Sequence, residues 1–271
     1  MGISIIATTY NQPLQLSLYL KTLASQTIND FEIIIANDGS TDETNTVIEK
    51  AKKEYFGDRL IHVWQEDLSY RKAKILNQAI LASKGKTLIF TDTDVLLHPY
   101  FIEDHLKFSE QNTLFLGRRV NLNHTVTDWI YQHTGRLFSQ YFYFKVLLSG
   151  MDRDPTHNVF RSFRITSSFF VKIFKLDTVP DLLGSNFSIG RDLLYKINGF
   201  DESLEHYWGE DGDLFIRARN SGSKIMGHKS YAIQFHLWHK RKTYNPDLEQ
   251  RYREKLSDFN YKFCKNGLSK S

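Results

Sequence analysis

The chain has 271 residues, a formal net charge of +4, 41% hydrophobic residues and 24% charged residues. These values are ordinary for a globular protein, and they exclude a disordered or fibrous one. Because 35 basic residues are interleaved with 31 acidic ones, a nucleic-acid partner is not expected. No run approaches the ~18 apolar residues of a membrane span, and the amino terminus lacks a basic-then-apolar signal, so we expect a cytoplasmic protein.

Short apolar runs alternate with helical patterns through about the first 110 residues, which is typical of βαβ units and a parallel sheet. The patterns predict strands at residues 3–7, 31–36, 60–64 and 87–90, with helices at residues 14–23, 42–53 and 72–82. A late strand at residues 231–235 and a charged helix at about residues 246–263 follow. No repeat or linker interrupts the chain, so a single domain is expected.

Polar residues follow three of the predicted parallel strands at the point where each strand ends. They are Thr8 and Tyr10 after the first strand, Asp38 after the second, and Asp92 and Asp94 after the fourth. The carboxyl ends of parallel strands open to one crevice, where open α/β sheets bind their ligands. We therefore expect these side chains to line one site.

The Asp92-Thr93-Asp94 motif places two carboxylates on the same side of an extended strand end. Together they could hold a hard divalent cation and leave coordination positions for diphosphate oxygens. Such a motif also occurs in solvated loops, but here it lies between apolar runs, which favours a functional role. Asp38 has two interpretations: a helix-capping turn, or an acceptor for a bound base or ribose.

The later half of the chain supplies a second set of polar residues. Glu210 and Asp211 precede a helical run, where acidic side chains complement the helix dipole. The preceding Trp208 indicates an aromatic platform of the kind on which a sugar stacks, and a neighbouring carboxylate could deprotonate an attacking hydroxyl. His236 and His239 follow the late strand, where one of them could bind a transition metal.

Together these motifs resemble glycosyltransferase family 2 with the A-type fold, a single α/β domain whose mostly parallel nucleotide-binding sheet is flanked by helices. The resemblance covers about residues 3–115 and 180–240. It implies a nucleotide-sugar-binding half at about residues 1–115, an acceptor-binding and catalytic half at about 116–240, and a helical tail at about 241–271.

The resemblance also implies roles for individual residues. Asp94 would bind Mn²⁺ or Mg²⁺ with His236 or His239, and His236 is slightly favoured. The segment around residues 199–213 resembles a galactosyltransferase-type segment that carries the base of an inverting enzyme, which places the base at Asp211 and Glu210 near the acceptor. The residues implied to hold the nucleotide sugar are Thr8, Tyr10, Asp38, Arg71, Asp92, Thr93 and Trp208.

The resemblance thus implies an inverting, metal-dependent transfer of a hexose or N-acetylhexosamine from a UDP-sugar to an acceptor hydroxyl. The acceptor would be a glycan or a lipid-linked glycan in bacterial surface polysaccharide or lipopolysaccharide assembly. The alternative is a non-catalytic module that binds a nucleotide sugar or a carbohydrate on the same fold. Because no Gly-x-Gly-x-x-Gly follows the first strand, a nicotinamide or methyl-donor enzyme is excluded.

Residues 129–175 are rich in aromatic and basic side chains. One interpretation is ordinary packing of helices and loops. The other is a lid or a membrane-facing surface, with aromatic rings at the level of lipid headgroups and cations facing anionic lipid. A peripheral contact with the inner face of the cell membrane would follow from the second interpretation, and the sequence leaves both open.

Overall fold

The computed structural model describes residues 2–110, 112–179, 184–204, 209–240 and 258–270. The strands are β1 (Ile3–Thr9), β2 (Glu32–Asn37), β3 (Leu60–Trp64), β4 (Thr87–Asp92), β5 (Val95–Leu97), β6 (Thr113–Leu116), β7 (Arg118–Asn121), β8 (Asn186–Gly190), β9 (Lys224–Gly227) and β10 (Ile233–His236). The α-helices are α1 (Pro13–Ala24), α2 (Asp42–Ala51), α3 (Lys72–Ala82), α4 (Phe101–Lys107), α5 (His124–Gln132), α6 (Gln140–Leu148), α7 (Ser168–Ile173), α8 (Arg191–Lys196) and α9 (Glu210–Asn220). Within these described ranges, no helix has the length and apolar character needed to cross a membrane.

The strands form two sheets. The larger has the order β3-β2-β1-β4-β8-β6-β9, and the smaller has the order β5-β10-β7. β1 pairs in parallel with β2 and β4, and β2 pairs in parallel with β3, which confirms the predicted arrangement of the first four strands. β8 then runs antiparallel between β4 and β6. The carboxyl ends of β1, β2 and β4 therefore meet at one edge of a mostly parallel sheet.

Both faces of the larger sheet are buried at its central strands. Along β1, Ile3, Ile5 and Ala7 pack on one face with α1 and α2, whereas Ile6 packs on the other face with α3, α8 and α9. A strand that is covered on both sides needs apolar residues at successive positions rather than at alternate ones. This explains why the strand was readable as a continuous apolar run.

The smaller sheet carries a third apolar cluster, in which α5 and α6 pack against β10. Ile130, Phe142 and Val146 are buried in this cluster together with Phe235. Packing is therefore the correct interpretation for this first part of the aromatic and basic segment.

The Asp92-Thr93-Asp94 motif is the crossing point between the two sheets. β4 ends at Asp92 and β5 begins directly after Asp94, so the chain changes sheets within the motif. The Thr93 N–H donates to Thr8 O at 3.1 Å, whereas Asp94 O accepts from Leu237 N at 2.9 Å. The two carboxylates are thus held by different sheets.

The carboxyl-terminal tail differs from the predicted charged helix. Residues 258–263 contain one turn at residues 259–260 and are otherwise irregular, so the predicted helix is wrong there, and residues 241–257 lie outside the described residues. Asn198 Nδ2 donates to Cys264 O at 2.7 Å and to Ser269 O at 2.8 Å. Side-chain donors of the globular body thus satisfy these two backbone carbonyls, and the end of the chain keeps an irregular conformation.

Candidate active site

Asp94, His236 and His239 form a compact triangle of potential metal ligands. Asp94 Oδ2 lies 3.4 Å from His236 Nε2 and 3.3 Å from His239 Nε2, and the two Nε2 atoms are 3.3 Å apart. β10 ends at His236 and pairs with β5, which begins next to Asp94, so the smaller sheet positions two of the three residues. Among the described residues, only this group has the close spacing of a metal site.

The chemistry of this donor set fits a divalent cation. The other carboxylate oxygen, Asp94 Oδ1, is buried and has no hydrogen-bond partner among the described residues, and a bound cation would satisfy it. His239 Nδ1 lies 3.1 Å from Lys240 O, so a neutral ring carries its proton there and presents Nε2 as the ligand atom. One carboxylate oxygen and two imidazole nitrogens suit Mn²⁺, and other coordination positions stay open for ligand oxygens.

The electrostatics of the triangle follow from its geometry. Burial alone would raise the pKa of Asp94, but the hydrogen bonds with His236 and His239 outweigh it and hold this pKa well below its usual range. The hydrogen bond to Asp94 in turn raises the pKa of His239, against the effect of burial. A carboxylate that is already ionised needs no deprotonation before a cation binds, and the cation would displace protons from the imidazoles.

Asp92 belongs to a second group, which centres on the buried ammonium of Lys72. Asp92 Oδ1 accepts from Thr8 Oγ1 at 2.6 Å and from Lys72 Nζ at 2.9 Å. The same Nζ lies 3.3 Å from Glu210 Oε1, which also accepts from Tyr70 OH at 3.4 Å. This group connects the end of β4 to the first residue of α9, and so joins the two halves of the chain.

Lys72 was not among the predicted site residues. Lys72 is the first residue of α3, where a cation opposes the positive end of the helix dipole. This unfavourable position was the signal in the sequence that could have pointed to Lys72, because nearby carboxylates would compensate its charge. Burial lowers the pKa of Lys72, but Asp92 and Glu210 raise it well above its usual value. Burial raises the pKa of Glu210, and Lys72 acts against that rise.

Asp38 lies in a pocket between two loops at the ends of β2 and β3. Its carboxylate accepts from Gln65 Nε2 at 2.5 Å and from the backbone N–H of Arg71 at 3.2 Å. Gly39 has φ +86°, and a Cβ there would meet Asp67 Cα at 2.6 Å, so the loops approach more closely than another residue allows. Arg71 thus contacts Asp38 through its backbone N–H and not through its guanidinium.

The side chains of Arg71 and Tyr10 do not contact Asp38 but bond to residues of the loop after β3. The Arg71 guanidinium donates to Glu66 O. Tyr10 OH donates to Asp67 Oδ2 at 2.9 Å, and this hydrogen bond raises the pKa of the phenol. Gln65 and Asp67 were missed, because neither occurs in a recognisable motif.

Asp211 occupies the first turn of α9, next to Glu210. Its side chain packs against the backbone of Gly184, where a Cβ would lie 2.1 Å from Asp211 Oδ2. Gly184, two residues before β8, therefore has to be a glycine for Asp211 to keep this position. Trp208, the predicted sugar platform, lies outside the described residues.

The structure thus sorts the predicted residues into groups. Asp94, His236 and His239 come together. Thr8 and Lys72 both bond directly to Asp92, and Lys72 leads on to Glu210, which precedes Asp211. Tyr10, Asp38 and Arg71 lie in the loops that follow β1, β2 and β3. Thr93 is fully buried in the link between the sheets, which directs its side chain into the protein.

Comparison with known proteins places this geometry in a family. A sequence profile described as "Glycosyl transferase family 2" matches residues 4–174, and one described as "N-terminal domain of galactosyltransferase" matches residues 167–240. Validoxylamine A glucosyltransferase of Streptomyces hygroscopicus subsp. jinggangensis is 37% identical over 106 residues, which are 38% of this chain and 24% of that protein. Chondroitin synthase of Escherichia coli is 24% identical over 238 residues, 82% of this chain and 32% of that protein. The matches span about a quarter to a third of the length of these relatives.

Solved structures show the same fold. S. aureus TarS in complex with UDP-GlcNAc has a TM-score of 0.62 at 19% identity, covering 96% of this chain and 72% of that one. A mannosyltransferase from Pyrobaculum calidifontis in complex with GDP-Man and Mn²⁺ has a TM-score of 0.58 at 14% identity, covering 95% of this chain and 69% of that one. These likenesses confirm the predicted A-type fold. Because the family profile covers more than half of the sequence, the chain belongs to glycosyltransferase family 2.

Proposed function

We propose that the chain is an inverting, metal-dependent hexosyltransferase that moves a hexose or N-acetylhexosamine from a UDP-sugar to an acceptor hydroxyl. The observation that carries the proposal is the triangle of Asp94, His236 and His239 beside the strand end that holds Asp92. Its buried, unpartnered carboxylate oxygen is the feature that a cation would complete. S. aureus TarS, which shares the fold, was solved with UDP-GlcNAc, and this supports a nucleotide-sugar donor.

The proposed roles follow from the groups in the site. Asp94 with His236 and His239 would hold Mn²⁺ or Mg²⁺, which when bound supplies positive charge for the departing diphosphate. Asp38, Tyr10, Arg71 and Thr8 would hold the uridine, as the resemblance implies. Trp208 is proposed as the platform for the acceptor sugar.

Asp211 is proposed as the general base. It takes the proton of the acceptor hydroxyl while that oxygen forms a bond to the anomeric carbon and the bond from this carbon to the diphosphate oxygen breaks. Attack from the face opposite the leaving UDP inverts the anomeric configuration. Glu210, held by Lys72 and Tyr70, lies next to Asp211 in the chain and is proposed to contact the acceptor.

The biological setting is proposed as bacterial surface polysaccharide or lipopolysaccharide assembly, with a glycan or a lipid-linked glycan as the acceptor. A chondroitin synthase of Escherichia coli among the relatives supports polysaccharide assembly. The galactosyltransferase-type match over residues 167–240 favours UDP-galactose or UDP-N-acetylgalactosamine as donor over UDP-glucose or UDP-N-acetylglucosamine.

The base assignment is tested by Asp211→Asn. Because a general base contributes about 10²- to 10⁴-fold, UDP release should fall by roughly a thousandfold with each of the four UDP-sugars. Donor binding, measured as the rise in melting temperature with UDP-sugar and Mn²⁺, should stay unchanged. Normal turnover in this variant would contradict the assignment of Asp211.

The metal assignment is tested by chelation and by ligand variants. EDTA should abolish UDP release, and added Mn²⁺ or Mg²⁺ should restore it. His236→Ala and His239→Ala should lose the rise in melting temperature that Mn²⁺ gives the parent chain, whereas His124→Ala, which alters an exposed histidine, should keep it. Activity that EDTA does not change would overturn the metal role.

A non-catalytic binding module remains the second candidate on the same fold. It predicts a rise in melting temperature with UDP-sugars but no UDP release above the uncatalysed rate with any donor or acceptor. The acidic residues at all three parts of the site favour catalysis, since the loss of any of them would be enough to abolish it.

A further inference from the structure

A segment between α6 and β8 carries an exposed apolar surface. From Thr166 to Lys175 no residue is buried, although this stretch includes α7. Phe169, Phe170, Ile173 and Phe174, which we call the apolar tip, are 64%, 47%, 55% and 58% exposed. A cluster of four large apolar side chains on a protein surface marks an interaction site.

The segment is fixed at its base, so the exposed tip does not reflect a loose chain. Lys229 N donates to Leu176 O at 2.7 Å, and Ser230 Oγ donates to Ile165 O at 3.1 Å, so both ends of the segment are held by adjacent residues. Just before the segment, Arg164 donates to the buried carboxylate of Asp104 through two nitrogens, at 2.9 and 2.7 Å. The body of the protein thus presents the tip outward on a firm support.

The rings of the tip contact one another. The Phe169 and Phe170 ring centroids are 5.4 Å apart, and the Phe170 and Phe174 rings stack at 6.1 Å. The earlier part of the same aromatic segment behaves differently, because Phe142 and Val146 are buried in the core. The tip is therefore the part of the segment that packing within the described residues does not explain.

The chain segment that carries the tip bears charge of one sign. No acidic residue occurs between Asp154 and Asp177, whereas Arg161, Lys172 and Lys175 lie in this interval. Lys172 and Lys175 are exposed and flank the phenylalanines directly. Apolar rings with a rim of cations match an anionic lipid surface, where rings lie at headgroup level and cations meet the lipid charge. A second copy of the tip would instead bring like charges together.

We propose that the apolar tip docks this protein on the surface of an anionic lipid bilayer. The inference is independent of the proposed chemistry, since the tip contains none of the site residues. The proposed occupant is a lipid surface rather than a second copy of the chain, because the cationic rim would oppose self-association.

The experiment is co-sedimentation of the 271-residue chain with vesicles of phosphatidylcholine, alone or with about 30% phosphatidylglycerol. The parent chain should bind the anionic vesicles, bind the neutral ones at least ~10-fold more weakly, and lose affinity as salt is raised. Phe170→Ser with Phe174→Ser should weaken binding ~10-fold or more, and Lys172→Glu with Lys175→Glu should do the same.

A control variant tests whether vesicle binding depends on the tip, and the melting temperature tests whether each variant is folded. Phe259→Ser with Leu81→Ser removes two side chains that are 70% and 58% exposed in elements remote from the tip in sequence, and should leave vesicle binding unchanged. Each variant should keep the melting-temperature rise with UDP-sugar, which shows an intact fold and donor site. That readout and UDP release separate failure of this proposal from failure of the proposed function.

Two results would overturn the proposal. Absence of binding to anionic vesicles at low salt would exclude lipid as the occupant. Sedimentation velocity without lipid that shows a dimer abolished by Phe170→Ser with Phe174→Ser would assign the tip to a second copy of the chain.

Discussion

Lys72 links Asp92 and Glu210, the carboxylates that are proposed to lie on the donor side and on the acceptor side of the site. Its ammonium lies between Asp92 and Glu210, and its side chain is 20% exposed. Removing one partner of such a buried group leaves the remaining charges uncompensated, which is more damaging than the loss of an exposed ion pair. Lys72 therefore acts as a positioning residue for two carboxylates that come from distant parts of the chain.

Lys72→Met should move the pH dependence of transfer as well as its rate. Burial raises the pKa of Glu210 and Lys72 opposes that rise, so the variant should raise this pKa further. Because Glu210 is proposed to contact the acceptor, its ionisation should contribute to the acidic limb of the kcat/KM profile. That limb should then shift to higher pH, with kcat reduced on the order of 100-fold. Lys72→Arg should restore much of the rate and the original limb.

Lys50→Met serves as the control, because Lys50 forms an exposed i,i+4 pair with Glu54 and should change neither quantity. A Lys72→Met enzyme with a lower rate but an unmoved acidic limb would contradict the electrostatic role of Lys72.

Site residues in short sequence motifs could be predicted, whereas residues whose partners are distant in the sequence could not. Asp94, His236 and His239 belong to short motifs, and the structure brings them together. Lys72 and Glu210 come from opposite halves of the chain, and no local pattern records a contact of that range. Their pairing follows from where α3 and α9 begin relative to the sheet.

At the scale of elements, α9 begins in the site and is anchored by buried charge one turn later. Asp213 Oδ2 accepts from Arg217 Nε at 2.8 Å, and Asp213 Oδ1 accepts from Tyr261 OH at 2.8 Å. Arg217, which is fully buried, also donates to Ile197 O. Asp213 therefore serves the helix rather than the chemistry, although it stands in the same acidic run as Asp211.

Arg217→Met should destabilise the protein by about 3–5 kcal/mol, because it leaves the Asp213 carboxylate buried without its cation. The change would appear as a lower urea midpoint with an unchanged m-value. Lys224→Met breaks an exposed pair with Glu110 and should cost less than about 1 kcal/mol. Equal losses in the two variants would show that the buried pair does not anchor α9.

The elements differed in how well sequence patterns predicted them. The parallel strands β1, β2 and β4 were predicted because strands covered on both faces read as largely apolar runs. β8 was not predicted, since Asn186 and Ser188 put polar side chains into its core positions. Those side chains are buried because His105 and backbone groups satisfy their hydrogen bonds, which a strand pattern cannot show.

At the scale of the whole molecule, Asn186 of the larger sheet bonds to backbone groups at the smaller sheet, and His105 fixes the orientation of its amide. Asn186 Nδ2 donates to Arg118 O and Ala232 O, so Asn186 Oδ1 is left to accept from His105 Nε2 at 3.1 Å. His105 Nδ1 then accepts from Ser188 Oγ at 3.0 Å. The ring is therefore neutral with its proton on Nε2, and burial lowers its pKa to about 3.

This buried neutral histidine predicts acid sensitivity of the fold. Its pKa is lower in the folded protein than the usual 6.5, so the unfolded chain binds the extra proton first as the pH falls. The stability contribution is complete above about pH 6.5 and is lost toward pH 3, with roughly 2 kcal/mol lost by about pH 5. Urea unfolding at several pH values measures this slope.

His105→Gln should be less stable than the parent chain at pH 7 but should lose stability less steeply on acidification. Parallel slopes for the two proteins would exclude His105 as the source of the acid sensitivity.

Because Asp92-Thr93-Asp94 passes between the two sheets, the number of residues between β4 and β5 is fixed. The spacing of the two acids equals the number of residues needed to step from β4 to β5, with Thr93 bonded to β1 and Asp94 bonded to the segment after β10. One added residue would break one of these backbone anchors and separate the metal triangle from the Lys72 group, even with every side chain kept. The length of the motif thus fixes the distance between the two groups, and an insertion there is more damaging than many substitutions.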